Sequence, residues 1–194
     1  MTTTIESHNS SRAVPTETPG ASAPTGRFSV AVQTADFDSA AEVAALRDAD
    51  ARVGAVCSFL GVVRDRNEGS AVAMLELEHY PGMTERSIEA MIDAARTRFG
   101  LFGARVIHRI GLLAPCDQIV LVAVTAAHRG EAFQGCEFLM DYLKTHAPFW
   151  KKEQTPSGAR WVDARASDDA ALARWGLAQP TEAAGAMPVH PLNR

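Results

Sequence analysis

The chain has 194 residues, which favours a single domain, and 46% of them are hydrophobic, enough for a sizeable core. The formal net charge of −4 excludes the strongly basic balance of a nucleic-acid-binding protein, so any anion site must be a local cluster of cations. No apolar run approaches the ~20 residues of a membrane span. The first residues lack the charged start and apolar stretch of a signal peptide, so none is predicted.

The outer parts of the chain differ in composition from its middle. Residues 1–26 are rich in Thr, Ser, Pro and Ala and contain few large apolar side chains. Such a segment buries too little surface to offset its ordering entropy, so a disordered N-terminal extension is predicted. Residues 176–194 contain three prolines and are predicted to form a flexible C-terminal tail. Residues 27–175 are therefore expected to form the single domain.

The first half of that domain contains alternating and helical patterns in turn. The segment from Ser39 to Arg47 is predicted to be a helix that begins with a capping box between Ser39 and Glu42. Asn67 and Gly69 are typical turn formers in the loop that spans residues 64–69. Three strands are predicted around these elements, over residues 27–33, 53–63 and 71–80. We expect the last two strands to pair as a hairpin.

The second half continues with helices and strands. Residues 84–99 are predicted to form an amphipathic helix with one apolar face, which consists of Ile88, Met91, Ile92, Ala95 and Phe99. The remaining predictions are strands over 105–113 and 118–125, joined by a turn near Pro115 and Asp117, then a helix over 129–145, a hairpin over 151–162 and a short helix over 167–175. Because most strands are joined by turns, an α+β fold with a mixed, largely antiparallel sheet is predicted.

The cysteines and histidines do not form a metal site or a nucleophile motif. The three cysteines, Cys57, Cys116 and Cys136, are widely spaced and odd in number, so no disulfide framework uses them all. Their apolar neighbours predict buried free thiols in a reducing, cytoplasmic compartment. His79 and His108 are not at metal-ligand spacing, and no glycine-rich phosphate loop is present. We expect neither a metal nor a cofactor.

Two cations stand at the start of the helix predicted over 129–145. Free backbone N–H groups and the helix dipole favour an anion at that end, and Asp or Glu would suit the first turn better than cations. A ligand anion held by His128 and Arg129 would explain the arrangement. The alternative is that both side chains are solvated and pair with Glu131 or another surface carboxylate.

Lys144 lies at the other end of this helix, near the face shared by Phe133 and Met140. It could place its stem on that apolar surface and its ammonium in water. It could instead be partly desolvated, with a lowered pKa that suits acid–base chemistry. Beyond the helix, Phe149 and Trp150 could anchor the chain and fix the direction of Lys151, or the lysines there could be ordinary solvated ones.

These cations lie within blocks that resemble the molybdopterin synthase large subunit, the MoaE family. The blocks are FLGVVRDRNEG from residue 59, LELEHYPGM from 75, HRIG from 108, AHRGEAF from 127, MDYLKTHAPFWKKE from 140 and RWVDAR from 160. They occur in family order and extend over about residues 27–175. The resemblance implies an α/β hammerhead-type domain with an antiparallel sheet region.

The resemblance also implies an activity and partners. The enzyme would be a sulfurtransferase whose substrate is cyclic pyranopterin monophosphate, also called precursor Z. A small ubiquitin-like subunit would carry the sulfur as a thiocarboxylate on its C-terminal glycine, and two transfers would form the dithiolene of molybdopterin. The large subunits would form a homodimer with one small subunit at each end, a heterotetramer without nucleic acid or membrane.

By the same resemblance, ten positions carry the site. Lys144 and Lys151 would be catalytic. The substrate-binding positions would be Val62, Val63, Arg64, His128, Arg129, Lys144, Lys151, Lys152, Glu153 and Arg165. In the family the pocket is shared across the dimer, so His128, Arg129 or Arg165 could act in the site of the opposite subunit. Residues 1–26 and those after 176 fall outside the resemblance.

Two other classes of protein remain as alternatives. A non-catalytic module could bind a ubiquitin-like tail by strand addition. The absence of Lys144 or Arg64 would have favoured such a module, but the sequence contains both residues. An unrelated hydrolase of a phosphate substrate would show metal ligands or a nucleophile elbow, and the sequence shows neither.

Overall fold

The structure, a computed structural model, describes residues 27–67, 69–155, 158–162 and 174–176. Ten strands and three helices lie within these ranges. The strands are β1 Phe28–Gln33, β2 Ala55–Val62, β3 Arg66–Asn67, β4 Ser70–Ala71, β5 Met74–His79, β6 Gly103–Arg109, β7 Gly111–Leu113, β8 Gln118–Ala126, β9 Phe149–Thr155 and β10 Gly158–Val162. The helices are α1 Ser39–Asp48, α2 Met83–Phe99 and α3 Arg129–Thr145.

The larger sheet has the strand order β1-β6-β8-β2 and carries helices on both faces. β1 and β6 are parallel, whereas β6 with β8 and β8 with β2 are antiparallel. Val122 and Val124 of β8 pack beneath α2 and α3, while Leu121 packs with α1 on the other face. Burial of both faces explains why β8 is an almost continuous apolar run.

The second sheet has the order β10-β9-β5-β7 and is antiparallel throughout the described residues. A smaller core of Val63, Leu75, Leu77 and Leu113 lies beneath it. Val63 follows β2 directly, so this core joins the second sheet to the end of the first. The α+β class with a mixed, largely antiparallel arrangement is thereby confirmed.

Several elements agree with the sequence predictions. Every residue predicted on the apolar face of α2 is buried. α3 begins at Arg129 and ends at Thr145, as predicted, and the hairpin predicted over 151–162 is formed by β9 and β10.

The capping box predicted for α1 is wrong. The N-cap residue is Asp38, whose Oδ1 accepts hydrogen bonds from the backbone N–H groups of Ala40 at 2.9 Å and Ala41 at 3.0 Å. Glu42 instead accepts a 2.9 Å hydrogen bond from Nε of Arg105 on β6. Aspartate is as good an N-cap as serine, so the sequence alone did not distinguish Asp38 from Ser39 as the N-cap residue.

The hairpin predicted between residues 53–63 and 71–80 is also wrong. β2 pairs with β8, whereas β5 pairs with β9 and β7 in the other sheet. The short β3–β4 hairpin between them carries the chain from one sheet to the other. Similarly, the strand predicted over 105–113 divides into β6 and β7, and Gly111 adopts a φ of 84° at the division.

The prediction of buried thiols holds for Cys136, which is buried in the main core. Cys57 is half-buried, and Cys116 is exposed, so the prediction was wrong for Cys116. Cys116 occupies the turn before β8 with a φ of 75°, and the turn directs its side chain outward. All three are free thiols.

Some predictions fall outside the described residues. These are the two tails, apart from Gly176, and most of the helix predicted over 167–175. Of that helix the structure describes Arg174 and Trp175, and the indole of Trp175 packs edge-on against Phe99 and Phe138. None of the described helices has the length and apolar character that crossing a membrane requires.

Candidate functional site

The order of strands and helices places Arg64 and Lys144 at the same end of the larger sheet. β8 runs from Gln118 to Ala126, and α3 then returns over the sheet, so Lys144 in the last turn of α3 lies towards the Gln118 end. β2 is antiparallel to β8, with Val62 opposite Gln118, so Arg64 leaves β2 at that same end. Both side chains are exposed there.

β9 divides its charged residues between the two faces of the second sheet. Lys151 and Glu153 lie opposite the inward-facing Leu77 and Leu75, whereas Lys152 lies opposite Glu76. Because side chains alternate along a strand, Lys152 points to the other face. Its Nζ lies 3.3 Å from Oε2 of Glu76 and 5.4 Å from the centre of the Trp161 ring. The structure therefore separates Lys152 from Lys151 and Glu153.

A buried amide links Arg64 to Glu153. Nη2 of Arg64 donates a 3.2 Å hydrogen bond to Oδ1 of Asn67, and Nδ2 of Asn67 donates a 2.8 Å hydrogen bond to Oε1 of Glu153. Asn67 and Glu153 are each only 6% exposed. Sequence reasoning treated Asn67 as a turn former, because a residue buried by contacts 86 positions away leaves no mark in local periodicity.

A buried histidine lies close to Lys151. His108 is 6% exposed, and its Nδ1 is 2.8 Å from the backbone oxygen of Arg109, to which it donates when protonated there. Burial, and to a smaller degree the neighbouring Lys151 and His79, lowers the pKa of His108 to about 3, although the hydrogen bond with Arg109 opposes this shift. The imidazole therefore stays neutral. Sequence reasoning considered His108 only as a metal ligand and missed this position.

His128 and Arg129 lie at the opposite end of α3 from Lys144. His128 is the N-cap residue and makes no side-chain capping hydrogen bond. At 1.5 Å per residue, the helix separates Arg129 from Lys144 by roughly 22 Å along its axis. No ion pair joins either cation to Glu131 within the described residues, and Oε2 of Glu131 is buried without a hydrogen-bond partner. Within one chain, His128 and Arg129 therefore lie far from Lys144.

The remaining predicted positions differ in environment. Val62 is 47% exposed, whereas Val63 is 4% exposed and belongs to the core of the second sheet. The backbone of Val63 is held on both sides, since its N–H donates to Asp117 O and its carbonyl accepts from Cys116 N–H, each at 2.9 Å. Arg165 lies outside the described residues.

A shallow cleft of about 270 Å³ between β1 and α2 is separate from this cluster. Its lining residues are Phe28, Ser29, Val30, Glu89, Ile92 and Asp93. The cleft contains no predicted site residue, and its two carboxylates are unsuited to an anionic substrate.

The larger sheet has two edge strands, β1 and β2, and β2 exposes apolar side chains. These side chains and the exposed Phe133 of α3, the helix that packs against β2, are together called the β2 edge patch. The patch consists of Val56, Phe59, Leu60, Val62 and Phe133, of which Phe133 is 62% exposed. An unpaired apolar edge strand is a template for pairing with another chain.

Together the two sheets and three helices define an α+β protein, which exposes Arg64 and Lys144 at one end of the larger sheet and apolar side chains along β2. The family model described as MoaE protein matches residues 32–146. This chain therefore belongs to the MoaE family.

Named relatives agree with this assignment. The molybdopterin synthase catalytic subunit of Ralstonia nicotianae is 64% identical over 148 residues, which cover 76% of this chain and 84% of the relative. The Escherichia coli subunit of the same name is 57% identical over 129 residues, 66% of this chain and 84% of the relative. Among solved structures, the molybdopterin biosynthesis MoaE protein from Burkholderia ambifaria matches with a TM-score of 0.67 and 57% identity, over 77% of this chain and 98% of that one. Molybdopterin synthase from Staphylococcus aureus matches with a TM-score of 0.63 and 28% identity, over 72% and 99%.

Proposed function

We propose that this chain is the catalytic subunit of molybdopterin synthase. It transfers sulfur from the C-terminal thiocarboxylate of a small ubiquitin-like carrier to cyclic pyranopterin monophosphate, and two transfers form the dithiolene of molybdopterin. The observation that carries the proposal is membership of the MoaE family, and a topology that directs Arg64 and Lys144 to the same end of the larger sheet supports it.

The charges of the cluster suit the proposed chemistry. The substrate phosphate and the carrier tail are anions, and a planar guanidinium such as that of Arg64 can donate two hydrogen bonds to one of them. Lys144 and Lys151 are the proposed acid–base groups, first as the thiocarboxylate sulfur attacks the substrate to form a thioester, and then as water hydrolyses that thioester, which leaves the sulfur on the pterin and releases the carrier as a carboxylate. Glu153 accepts a hydrogen bond from Asn67, whereas Lys152 is directed to the opposite face of the sheet, beside Glu76.

The separation of the cations supports a homodimer whose sites are shared. If two copies pair antiparallel through the β2 edge patch, the Ala55 end of one β2 lies beside the Val62 end of the other. The N-terminus of α3 lies at the Ala55 end, so His128 and Arg129 of one copy approach Arg64 and Lys144 of the second. An isologous two-fold contact of this kind completes two equal sites and covers the exposed edge.

The carrier and the cell compartment are the remaining parts of the proposal. One small carrier subunit binds at each end of the dimer, which gives a heterotetramer, and its tail enters the site beside Lys144. The protein acts in the cytoplasm, where free thiols such as those of Cys57, Cys116 and Cys136 persist.

Reconstitution tests this function directly. The purified full chain is mixed with precursor Z and with carrier that bears the thiocarboxylate, and molybdopterin is measured by its fluorescent oxidation product. Carrier that ends in an ordinary carboxylate is the control. We expect product with the first carrier and none with the second. Carrier binding without any product would instead identify a non-catalytic binding module.

A further inference from the structure

Asn67 stands between the two opposite charges of the candidate site. Its side chain is 6% exposed and belongs to the short β3–β4 hairpin. Its carbonyl oxygen faces the guanidinium of Arg64 at 3.2 Å, and its amide nitrogen faces the carboxyl group of Glu153 at 2.8 Å. In this orientation the amide oxygen accepts from the guanidinium of Arg64 and the amide nitrogen donates to the carboxylate of Glu153. A flipped amide would direct its N–H groups at the N–H groups of Arg64 and its oxygen at the oxygens of Glu153.

We propose that Asn67 is a positioning residue that holds Arg64 for an anionic ligand and keeps it from pairing with Glu153. The proposal rests on the proposed function for the identity of the ligand. Within the described residues, Arg64 forms the hydrogen bond to Asn67 and no ion pair. A neutral amide thus uses one N–H group of the guanidinium and leaves the rest of its donors and its charge for the ligand.

The amide is suited to this task because neither a carboxylate nor an apolar side chain could replace it. Asp at position 67 would keep an acceptor for Arg64, but it would neutralise the guanidinium and face the carboxylate of Glu153. Ala would leave buried polar groups without their partner and would let Arg64 turn towards Glu153. In both cases an incoming anion would compete with a carboxylate for Arg64.

A thermodynamic cycle tests the proposal in the full chain. The dissociation constant of cyclic pyranopterin monophosphate is measured by calorimetry for wild type, Asn67→Ala, Arg64→Ala and the double variant. We expect Asn67→Ala to weaken binding roughly tenfold when Arg64 is present, as for a lost hydrogen bond to a charged group, and to have little effect when Arg64 is absent. Equal weakening in both backgrounds, or no weakening, would overturn the proposal.

Asn67→Asp and Glu42→Gln separate positioning from stability. Asn67→Asp preserves the size of the side chain, and we expect it to weaken binding at least as much as Asn67→Ala. Glu42→Gln weakens the buried contact with Arg105 in the other sheet and leaves the site untouched. It should lower the melting temperature without changing the dissociation constant. If Glu42→Gln weakens binding as much as Asn67→Ala does, the effect of Asn67 is one of stability and the proposal fails.

A measurement without ligand distinguishes this proposal from the proposed function. The order parameter of the Arg64 Nε–H group, measured by NMR relaxation on the free protein, should fall in Asn67→Ala and stay unchanged in Glu42→Gln. An unchanged value in Asn67→Ala would refute the positioning role. If the wild type does not bind the pterin while the order parameter behaves as expected, the substrate assignment fails and the positioning role stands.

Discussion

The imidazole of His108 lies flat on the ring of Phe149, with ring centres 3.6 Å apart and an angle of 15° between the planes. Phe149 is the first residue of β9, which carries Lys151 two positions later. The stack therefore fixes the start of the strand on which a proposed catalytic lysine stands. His79, opposite Phe149 on β5, lies beside the same stack, and its Nε2 is 3.5 Å from Oε1 of Glu85.

The stack predicts a dependence of stability on pH. Burial holds the pKa of His108 at about 3 in the native state, compared with 6.5 for a free histidine, and the charges of His79 and Lys151 oppose its protonation. Between these two values the unfolded chain binds more protons, so His108 makes the native state lose stability as the pH falls from about 6.5 towards 3.

His108→Phe should keep the stack and remove this titration. At pH 7 the variant should be less stable by ~0.5–1.5 kcal/mol, because the hydrogen bond to the Arg109 carbonyl is lost. Urea unfolding at pH 7 and at pH 4.5 gives the free energy of unfolding of the wild type and of the variant. The difference between these two free energies should narrow or reverse at the lower pH. Stability curves that run parallel over this range would contradict the buried neutral imidazole.

Lys144 is predicted to be essential for turnover. A positioned acid or base supplies ~10²–10⁴-fold in rate, so Lys144→Ala should remove most product formation while carrier binding and the dimer persist. Lys144→Arg should fail too, since a guanidinium does not give up its proton near neutral pH. If Lys144→Ala keeps more than about a tenth of wild-type turnover, well short of that range, the mechanism must be rebuilt around Lys151.

Mixed dimers are predicted to recover activity when the two defects lie in different copies of a shared site. Arg129→Ala and Lys144→Ala should each be nearly inactive alone. After subunit exchange, half of the dimers are mixed and have one intact site, so about a quarter of wild-type activity should return. Arg64→Ala mixed with Lys144→Ala is the matched control, because both residues belong to the same copy's part of the site and no intact site forms. If the test mixture, like the control, recovers no activity after subunit exchange, Arg129 acts in the same subunit as Lys144 and the shared site is refuted.

The cysteines are predicted to be dispensable for chemistry, because the transferred sulfur comes from the carrier. Burial raises the pKa of Cys136 to about 12, so its thiolate is scarce near neutral pH. A variant with Ala at Cys57 and Cys136 and Gly at Cys116, where φ is positive, should remain folded and active. A folded variant that makes no molybdopterin from thiocarboxylated carrier would assign a thiol to the reaction.

Removal of residues 1–26 is predicted to leave folding and turnover nearly unchanged. Their composition offers little apolar surface, and the first described strand begins at Phe28. Thermal unfolding and the reconstitution assay compare the truncated and full chains. A large fall in melting temperature would show that the segment packs against the domain.

The sequence alone determined the elements whose signals are local. The apolar face of α2, the bounds of α3 and the β9–β10 hairpin all follow from spacing between near neighbours. The position of His128 and Arg129 at a helix start was determined in the same way. It requires only the point at which the strand pattern ends and the helical spacing of apolar residues begins. Motif blocks added the family, because they record which residue types stand at which spacing.

Only the tertiary structure decided which elements meet. β2 pairs with β8, a central strand whose two faces are covered by helices, rather than with the segment of residues 71–80 that follows it in sequence. Asn67 became a buried bridge between Arg64 and Glu153, and Lys152 turned away to Glu76, through strand pairing between distant segments. The length of α3 separated Arg129 from Lys144. Each of these outcomes depends on contacts between residues far apart in the chain. The free energy of such contacts is shared among many side chains, so no single segment shows a periodic pattern that predicts them.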